Sequence, residues 1–197
     1  MDIKEFIINN NLNGFDKESG TDKCSEHSFL DFYQQVFSVF ADTPINILEI
    51  GTYKGGWAYT MHKLLTKSNI TSIDIEDRFS NSLKKEIDYS RFNILIENAF
   101  SNKTISSFEE TNQLFDIIID DGPHTLESQL FSVQNYTKLL SNNGLLIIED
   151  IQSVEILQYL YNSVSNDFFK KVVDYRYKIN RWDDILLIVS RKDINYE

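Results

Sequence analysis

The stretch INILEIGTYKGGWAYTMHKLLTKSNITSIDIE, residues 45–76, decides the fold class. It opens with a run of Ile and Leu at 45–51, which is typical of a strand that is buried on both faces. The segment 56–67 has the features of a helix, and residues 70–76 form a second apolar run. A strand, a helix and a second strand in this order predict two parallel strands that are joined by a crossover helix.

The same alternation continues along the chain. Further apolar runs predict strands at 92–97, 115–121 and 144–150, and helices are predicted at 78–89 and 126–140. After residue 165 the pattern changes, because two longer strands, 168–178 and 183–192, follow each other with only a turn between them. The predicted fold class is therefore α/β, with a doubly wound, mostly parallel sheet that ends in a C-terminal antiparallel hairpin.

The first part of the chain is predicted to be helical. Residues 2–11 form a short amphipathic segment, and apolar residues in 28–40 recur every three or four positions. We expect one domain over residues 1–197, in which a helical cap (1–43) precedes the α/β core (44–191).

Composition excludes several classes of partner. The net charge of −11, with no block of basic residues, argues against nucleic acid, and no apolar run is long enough to span a membrane. A single cysteine, Cys24, excludes an intramolecular disulfide and favours a reducing, cytoplasmic setting. The sequence opens with an acidic residue and lacks the apolar block of a signal peptide, so no signal peptide is expected.

The turn after the first strand has the composition of a ligand site. Glycines Gly51 and Gly55 permit close approach of a ligand to the backbone, and the acid Asp74 ends the second strand, where ribose hydroxyls can bind. Tyr53 stands where a dinucleotide fingerprint needs its second glycine, so the pattern E-x-G-x-x-x-G from Glu49 suits a nucleoside without phosphates. A tight turn without a ligand is the alternative.

Carboxylates end two later strands. Asp120 and Asp121 precede Gly-Pro and His124, while Glu149 and Asp150 end the following strand. These strand ends meet at one edge of a parallel sheet, and such a cluster repels itself unless a cation compensates it. Oxygen ligands favour a hard divalent cation, Mg²⁺ first, with Mn²⁺ or Ca²⁺ as substitutes. Alternatively, the first pair forms a turn and the second caps a helix.

The glycine turn followed by Asp74 resembles the class I S-adenosylmethionine-dependent methyltransferases over roughly residues 20–191. The resemblance implies a Rossmann-like, seven-stranded sheet and S-adenosylmethionine as the cofactor. It also implies a set of cofactor-binding residues: Lys23, Glu49, Gly51, Tyr53, Gly55, Asp74, Asn98, Ala99 and Asp120. Asn98 and Ala99 stand where relatives often carry Gly-Asp, so the adenine contacts are the part of this set that departs from the family.

DDGPH followed by GLLIIED resembles the signature of metal-dependent sugar O-methyltransferases of the macrocin and mycinamicin group. The resemblance implies that Asp121, Glu149 and Asp150 ligate Mg²⁺ and that His124 is the general base, so that His124 and Asp121 are the catalytic residues. Thr21, Asp22, Lys23, His27 and Tyr33 match a family segment that packs over the cofactor, in which Lys23 would neutralise the cofactor carboxylate. For His27, an ordinary position at a helix N-terminus is nearly as good an explanation.

The expected function is Mg²⁺-dependent O-methylation of a hydroxyl on a sugar, a glycan or a sugar-bearing small molecule. Its partners would be a small-molecule or carbohydrate acceptor, with no nucleic acid and no membrane, and a homo-oligomer is allowed. A metal-independent small-molecule methyltransferase and a non-catalytic S-adenosylmethionine-binding subunit are the alternatives; a nicotinamide-dependent oxidoreductase is disfavoured by Tyr53. Arg181, Asp183 and Asp184 form either a turn salt bridge or a substrate contact, and His62 is expected to be structural or solvated.

Overall fold

Seven strands form one sheet in the computed structural model of this protein, which describes residues 2–193. The strands are β1 (Asn46–Ile50), β2 (Asn69–Asp74), β3 (Phe92–Ile96), β4 (Phe115–Asp120), β5 (Leu140–Ile148), β6 (Phe169–Asp174) and β7 (Ile185–Ser190). Their order is β3-β2-β1-β4-β5-β7-β6, and only β7 runs antiparallel to its neighbours β5 and β6. The predicted α/β class, with a mostly parallel seven-stranded sheet and a C-terminal antiparallel hairpin, is confirmed.

Helices connect most of these strands. They are α1 (Ile3–Asn9), α2 (Leu30–Phe40), α3 (Gly56–Leu64), α4 (Asn81–Lys84), α5 (Asn102–Glu110), α6 (Leu126–Asn135), α7 (Val154–Ser163) and α8 (Arg176–Ile179), and one 3-10 turn covers Tyr136–Leu139. α5 and α7 have no counterpart among the predicted helices, although each begins at a serine that caps its first turn, Ser101 or Ser153.

Two connections differ from the prediction. The helix expected at 78–89 is reduced to α4, because the Asp88 carboxylate accepts hydrogen bonds from both the backbone and the hydroxyl of Ser90 and so stabilises a turn. The strand expected at 168–178 ends at Asp174, and the one-turn helix α8 takes the place of its last residues. Asp174 accepts a hydrogen bond from the Arg176 backbone at the start of α8, and Asn180, with φ 56°, ends it.

The sheet has a different hydrophobic cluster on each face. Ile47, Ile117 and Ile147 pack with α1, α2 and α3, whereas Leu48 and Ile118 pack with α5 and α6 on the other side. Successive residues of a strand point to opposite faces. Glu49 and Glu149 therefore share the face that the N-terminal segment covers. The division into a cap (1–43) and a core (44–191) stays a prediction.

Gly51 allows the turn after β1 to contact the end of β4 directly. Its φ is 86°, and a Cβ placed on it would lie 1.9 Å from the carbonyl oxygen of Asp121. Only a residue without a side chain fits this backbone contact. Among the described residues, no helix combines the length and apolar character that crossing a bilayer requires.

Candidate active site

A cavity of about 540 Å³ opens at the carboxyl ends of β1, β2, β3 and β4. Eight of the predicted site residues line it, and they come from four different strand ends: Glu49, Gly51, Tyr53, Asp74, Asn98, Ala99, Asp121 and His124. This volume lies within the range of about 300–1,000 Å³ that is typical of small-molecule sites. Four of the five strand ends predicted to carry the chemistry therefore surround one cavity, and the fifth, with Glu149 and Asp150, does not line it.

Asp74 fixes the turn that follows β1. One of its oxygens, Oδ2, accepts a hydrogen bond from the backbone N–H of Tyr53 at 2.7 Å, and Oδ1 accepts one from Glu76 at 3.2 Å. A carboxylate offers about four acceptor positions, so Asp74 retains capacity for a ligand hydroxyl. The Tyr53 ring stacks on Phe15 with centroids 4.9 Å apart, which extends the cavity rim by an aromatic pair.

The turn after β3 is held by its own hydrogen bonds. The Asn98 side chain accepts a hydrogen bond from the Phe100 backbone at 2.9 Å, and the Ala99 carbonyl accepts one from the Tyr136 hydroxyl at 2.8 Å. The Phe100 ring lines the cavity beside Gly122. Asn98 and Ala99 thus belong to a turn that lines the cavity with polar backbone groups and holds the apolar Phe100 ring in place.

Glu49 is a buried acid at the floor of the cavity. It is 1% exposed, and its Oε2 accepts a hydrogen bond from the Ser72 hydroxyl at 2.9 Å. Burial raises the pKa of Glu49 to about 8, and the hydrogen bond from Ser72 offsets only part of this effect. The protein therefore keeps a carboxyl group where the charged form is unfavourable, which indicates a role other than stability.

We predict that Glu49→Gln stabilises the protein at alkaline pH only. The folded-state pKa of about 8 exceeds the ordinary value of 4.5, so the folded state loses stability as pH rises from 4.5 to 8. Glutamine carries no charge and avoids this loss. Urea unfolding should therefore show no difference between the two proteins at pH 4.5 and a gain of roughly 2–4 kcal/mol for the variant above pH 8.

The control for this comparison is Glu109→Gln, at an exposed position of α5. It should leave the free energy of unfolding within about 0.5 kcal/mol of the original at both pH values. A stability difference for Glu49→Gln that is the same at pH 4.5 and at pH 8.5 would contradict the raised pKa.

Lys23 lies between two of the predicted metal ligands rather than on the cavity wall. Its ammonium donates to Asp121 Oδ2 at 2.7 Å and to Glu149 Oε2, and the Tyr33 hydroxyl donates to the other oxygen of Glu149. Burial by itself lowers the pKa of Lys23, but Asp121 and Glu149 outweigh it and hold that pKa well above its ordinary value. Lys23 is therefore a buried cation.

Asp121, His124 and Asp150 form a group that could hold a metal ion. One potential ligand atom from each residue lies within 4.8 Å of the others. His124 Nε2 is 3.5 Å from Asp150 Oδ2 and 3.8 Å from Asp121 Oδ1. Burial raises the pKa of Asp150, and the nearby charges of Asp121 and Glu149 raise it further. Glu149, the third predicted ligand, is outside this group.

Two residues of this group have strained backbones. His124 and Asp150 both have φ 53°, in the left-handed region that side chains usually avoid. Burial lowers the pKa of the His124 imidazole, which keeps the ring neutral near pH 7. A neutral imidazole can accept a proton or bind a metal ion.

His27 supports Asp150 from the opposite side. Its Nδ1 lies 2.7 Å from Asp184 Oδ1 and 3.1 Å from Asp150 Oδ1. The neighbouring acid Asp183 pairs with Arg181 at 2.7 Å, so the turn salt bridge considered for that pair is present. His27 and Asp184 thus connect the β6–β7 loop to Asp150.

Besides Lys23, two of the predicted cofactor-binding residues, Asp120 and Gly55, do not line the cavity. Asp120 faces the opposite side of the sheet, because it is adjacent to Asp121 at the end of the strand; its Oδ1 accepts a hydrogen bond from Gly122. Burial raises the pKa of Asp120 to about 7, although Ser132 offsets part of the increase. A Cβ on Gly55 would contact Phe79 at 2.5 Å, so this glycine serves the turn. His62 is buried and accepts a hydrogen bond from the Asp88 backbone, which makes it structural.

Sequence reasoning missed several cavity residues. Besides Phe15, which comes from the loop before α2, the additional side chains include Trp57, Ile75, Arg78 and Glu97. Ile75 and Glu97 lie at the ends of the predicted strands 70–76 and 92–97, and Arg78 follows the first of these strands, so their positions could have been identified from the topology. Phe15 carried no such signal, because only the tertiary fold brings its loop onto β1.

Comparison with known proteins supports this fold. Residues 48–151 match the family model described as a methyltransferase domain. The 8-demethyl-8-alpha-L-rhamnosyl tetracenomycin-C 2'-O-methyltransferase of Streptomyces olivaceus is 25% identical over 175 residues, which are 83% of this chain and 45% of that protein. The release factor glutamine methyltransferase of Flavobacterium psychrophilum is 26% identical over 110 residues, covering 56% of this chain and 37% of its own length.

A solved structure has the same fold. MycE methyltransferase from the mycinamycin biosynthetic pathway, in complex with Mg, SAH and mycinamycin VI, superimposes with a TM-score of 0.70 at 19% identity. The match covers 96% of this chain and 53% of that one. This chain thus spans about half the length of the relatives that it resembles. Because the family match covers more than half of this chain and includes both β1 and the end of β5, the chain belongs to the methyltransferase-domain family.

Proposed function

We propose that the protein is an S-adenosylmethionine-dependent, Mg²⁺-dependent O-methyltransferase that acts on a hydroxyl of a sugar, a glycan or a sugar-bearing small molecule. One observation carries the proposal. Asp121 and His124, two members of the group that with Asp150 could hold a metal ion, line the same cavity as Glu49 and Asp74. A methyl donor and an activated hydroxyl would therefore meet in this cavity.

The cavity fits the cofactor. Asp74 has acceptor capacity for ribose hydroxyls, and Glu49 offers a buried carboxyl group to a cationic or hydroxyl group of the ligand. Apolar and aromatic side chains, among them Ile75 and Phe100, supply a wall for the adenine ring. We assign Glu49, Gly51, Tyr53, Asp74, Asn98 and Ala99 to cofactor binding on these grounds.

The carboxylates at the ends of β4 and β5 fit a hard divalent cation. Asp150 Oδ1 is buried and makes no hydrogen bond, since the nearby His27 Nδ1, 3.1 Å away, bonds to Asp184 instead. Carboxylate oxygens are the ligands that Mg²⁺ prefers. We propose Asp121, Glu149 and Asp150 as its ligands. When bound, such an ion lowers the pKa of a coordinated hydroxyl and orients it.

His124 would act as the general base. Its Nδ1 is buried and has no hydrogen-bond partner, while Nε2 faces Asp121 and Asp150 at the cavity rim. The neutral ring is the form that accepts a proton from the acceptor hydroxyl as the methyl group transfers. Phe15 and Tyr53 cover the rim and would help to exclude water.

The sugar acceptor rests on the relatives. The Streptomyces olivaceus enzyme is named for a 2'-O-methylation on a rhamnosyl tetracenomycin, and the solved MycE complex contains a mycinamycin. A metal-independent small-molecule methyltransferase is the second candidate. It is favoured by Lys23, whose ammonium already neutralises part of the charge on Asp121 and Glu149.

An acceptor screen tests the proposal. The protein is incubated with S-adenosylmethionine, Mg²⁺ and a panel of glycosides, nucleotide sugars and non-sugar phenols and alcohols, and released S-adenosylhomocysteine is measured with and without EDTA. We expect turnover on a sugar hydroxyl that EDTA abolishes and Mg²⁺ restores. Turnover that ignores EDTA identifies the metal-independent candidate. Binding of S-adenosylmethionine by calorimetry without turnover on any acceptor would indicate a binding subunit instead.

A further inference from the structure

Lys23 is a lysine whose ammonium group is withdrawn from solvent. The residue is 1% exposed, and lysine is almost never buried to this degree unless its charge is paired. Its two partners, Asp121 and Glu149, lie 98 and 126 positions away in the sequence. The N-terminal segment therefore inserts a positive charge between the ends of β4 and β5.

The ammonium occupies ligand positions of the proposed metal site. Lys23 takes Asp121 Oδ2 and Glu149 Oε2, and Tyr33 takes the remaining oxygen of Glu149. Asp121 Oδ1 and Asp150 stay on the side of His124. A divalent cation can thus reach Asp121 and Asp150, but it meets Lys23 at Glu149.

We propose that Lys23 is an internal counter-cation of Asp121 and Glu149 and competes with the divalent cation for these two carboxylates. The inference rests on the metal site of the proposed function. Two cations at one pair of carboxylates repel each other, and the repulsion is strong where water is excluded. Ion binding therefore requires the Lys23 ammonium to withdraw from at least one carboxylate.

The surroundings give the displaced ammonium somewhere to go. The Lys23 nitrogen lies 5.8 Å from the centre of the Trp57 ring, a distance at which a cation is attracted by the aromatic face. Trp57 is itself buried and lines the cavity. A short movement can therefore exchange a carboxylate for the indole without exposing the charge to solvent.

The test measures ion binding directly. Calorimetric titration with Mg²⁺ alone, without cofactor or acceptor, compares the original protein with Lys23→Met and with Lys103→Met, which removes an exposed lysine of α5. We expect Lys23→Met to bind Mg²⁺ at least about tenfold more tightly and Lys103→Met to bind it unchanged. We also expect EDTA to lower the melting temperature of Lys23→Met below that of the original, and Mg²⁺ to restore it.

If Lys23→Met binds Mg²⁺ as tightly as the original protein or more weakly, Lys23 does not compete with the ion. This outcome does not contradict the metal-dependent function. If neither protein binds Mg²⁺, both the competition and the metal role of the proposed function are wrong. Should Lys23→Met fail to fold, NMR of the lysine side-chain ε-methylene signals in the original protein decides the matter. Mg²⁺ must shift the Lys23 signal and leave that of Lys103 in place; binding without a shift at Lys23 overturns the inference.

Discussion

Asp121→Asn should reduce methyl transfer by at least about 10³-fold, the largest effect that we expect from a single substitution. The reason is that Asp121 takes part both in the ion pair with Lys23 and in the group that it forms with His124 and Asp150. One of its oxygens accepts a hydrogen bond from Lys23, and the other lies in the group with His124 and Asp150. Asparagine keeps the shape and removes the charge. The measurement is the initial rate of S-adenosylhomocysteine release on the best acceptor of the screen.

Chelation provides an internal check on this result. The original protein in EDTA should fall to the rate of Asp121→Asn, whereas EDTA should not lower the rate of the variant further. Asp167→Asn, at an exposed position just before β6, is the control and should keep the original rate. If Asp121→Asn retained more than about a tenth of the activity, its role as a metal ligand would have to be abandoned.

His124→Asn should lower kcat by roughly 10²–10⁴-fold, the range that general acid–base catalysis contributes. Asparagine is the appropriate replacement because His124 has φ 53°, and asparagine tolerates the left-handed region better than other residues with side chains. The substitution removes the base with little change to the backbone. The measurement is kcat at saturating cofactor and acceptor, together with the dissociation constant of S-adenosylmethionine.

The affinity for the cofactor separates a base from a structural residue. We expect the dissociation constant of S-adenosylmethionine to stay within about threefold, because the proposed cofactor contacts come from Glu49, Asp74 and their turns. His62→Asn is the comparison, since His62 is buried and accepts a backbone hydrogen bond away from the cavity. It should reduce stability more than kcat. Equal losses of kcat and cofactor affinity in His124→Asn would argue that the residue only shapes the cavity.

The sequence was sufficient to predict the strand ends that build the site. Apolar runs and the glycine turn are local signals, and the rule that ligands bind at the carboxyl ends of parallel strands places Glu49, Asp74 and Asp121 at one edge. The structure brings these three residues to one cavity, as expected. Local signals were weaker where short-range hydrogen bonds set the backbone, as at Asp88 and Asp174. There the predicted helix 78–89 and the predicted strand 168–178 are longer than the observed α4 and β6.

The positions of Asp120 and Lys23 depended on more than local pattern. Adjacent residues at a strand end point to opposite faces, but the sequence does not say which face the cap covers. The tertiary structure decides that Asp121 faces the cavity and that Asp120 faces Ser132 on the other side. Lys23, for which the resemblance implies a contact with the cofactor carboxylate, pairs with Asp121 and Glu149.

What the sequence by itself determined is the α/β architecture and the chemical character of one sheet edge, because burial patterns and strand-end residues act over a few positions. What only the tertiary structure decided is how the charges of that edge are balanced. The carboxylate partners of Lys23, His27 and Tyr33 lie about a hundred or more positions away in the sequence. No spacing rule predicts contacts over such separations. They form because the cap folds over one face of the sheet, where every buried carboxylate requires a partner.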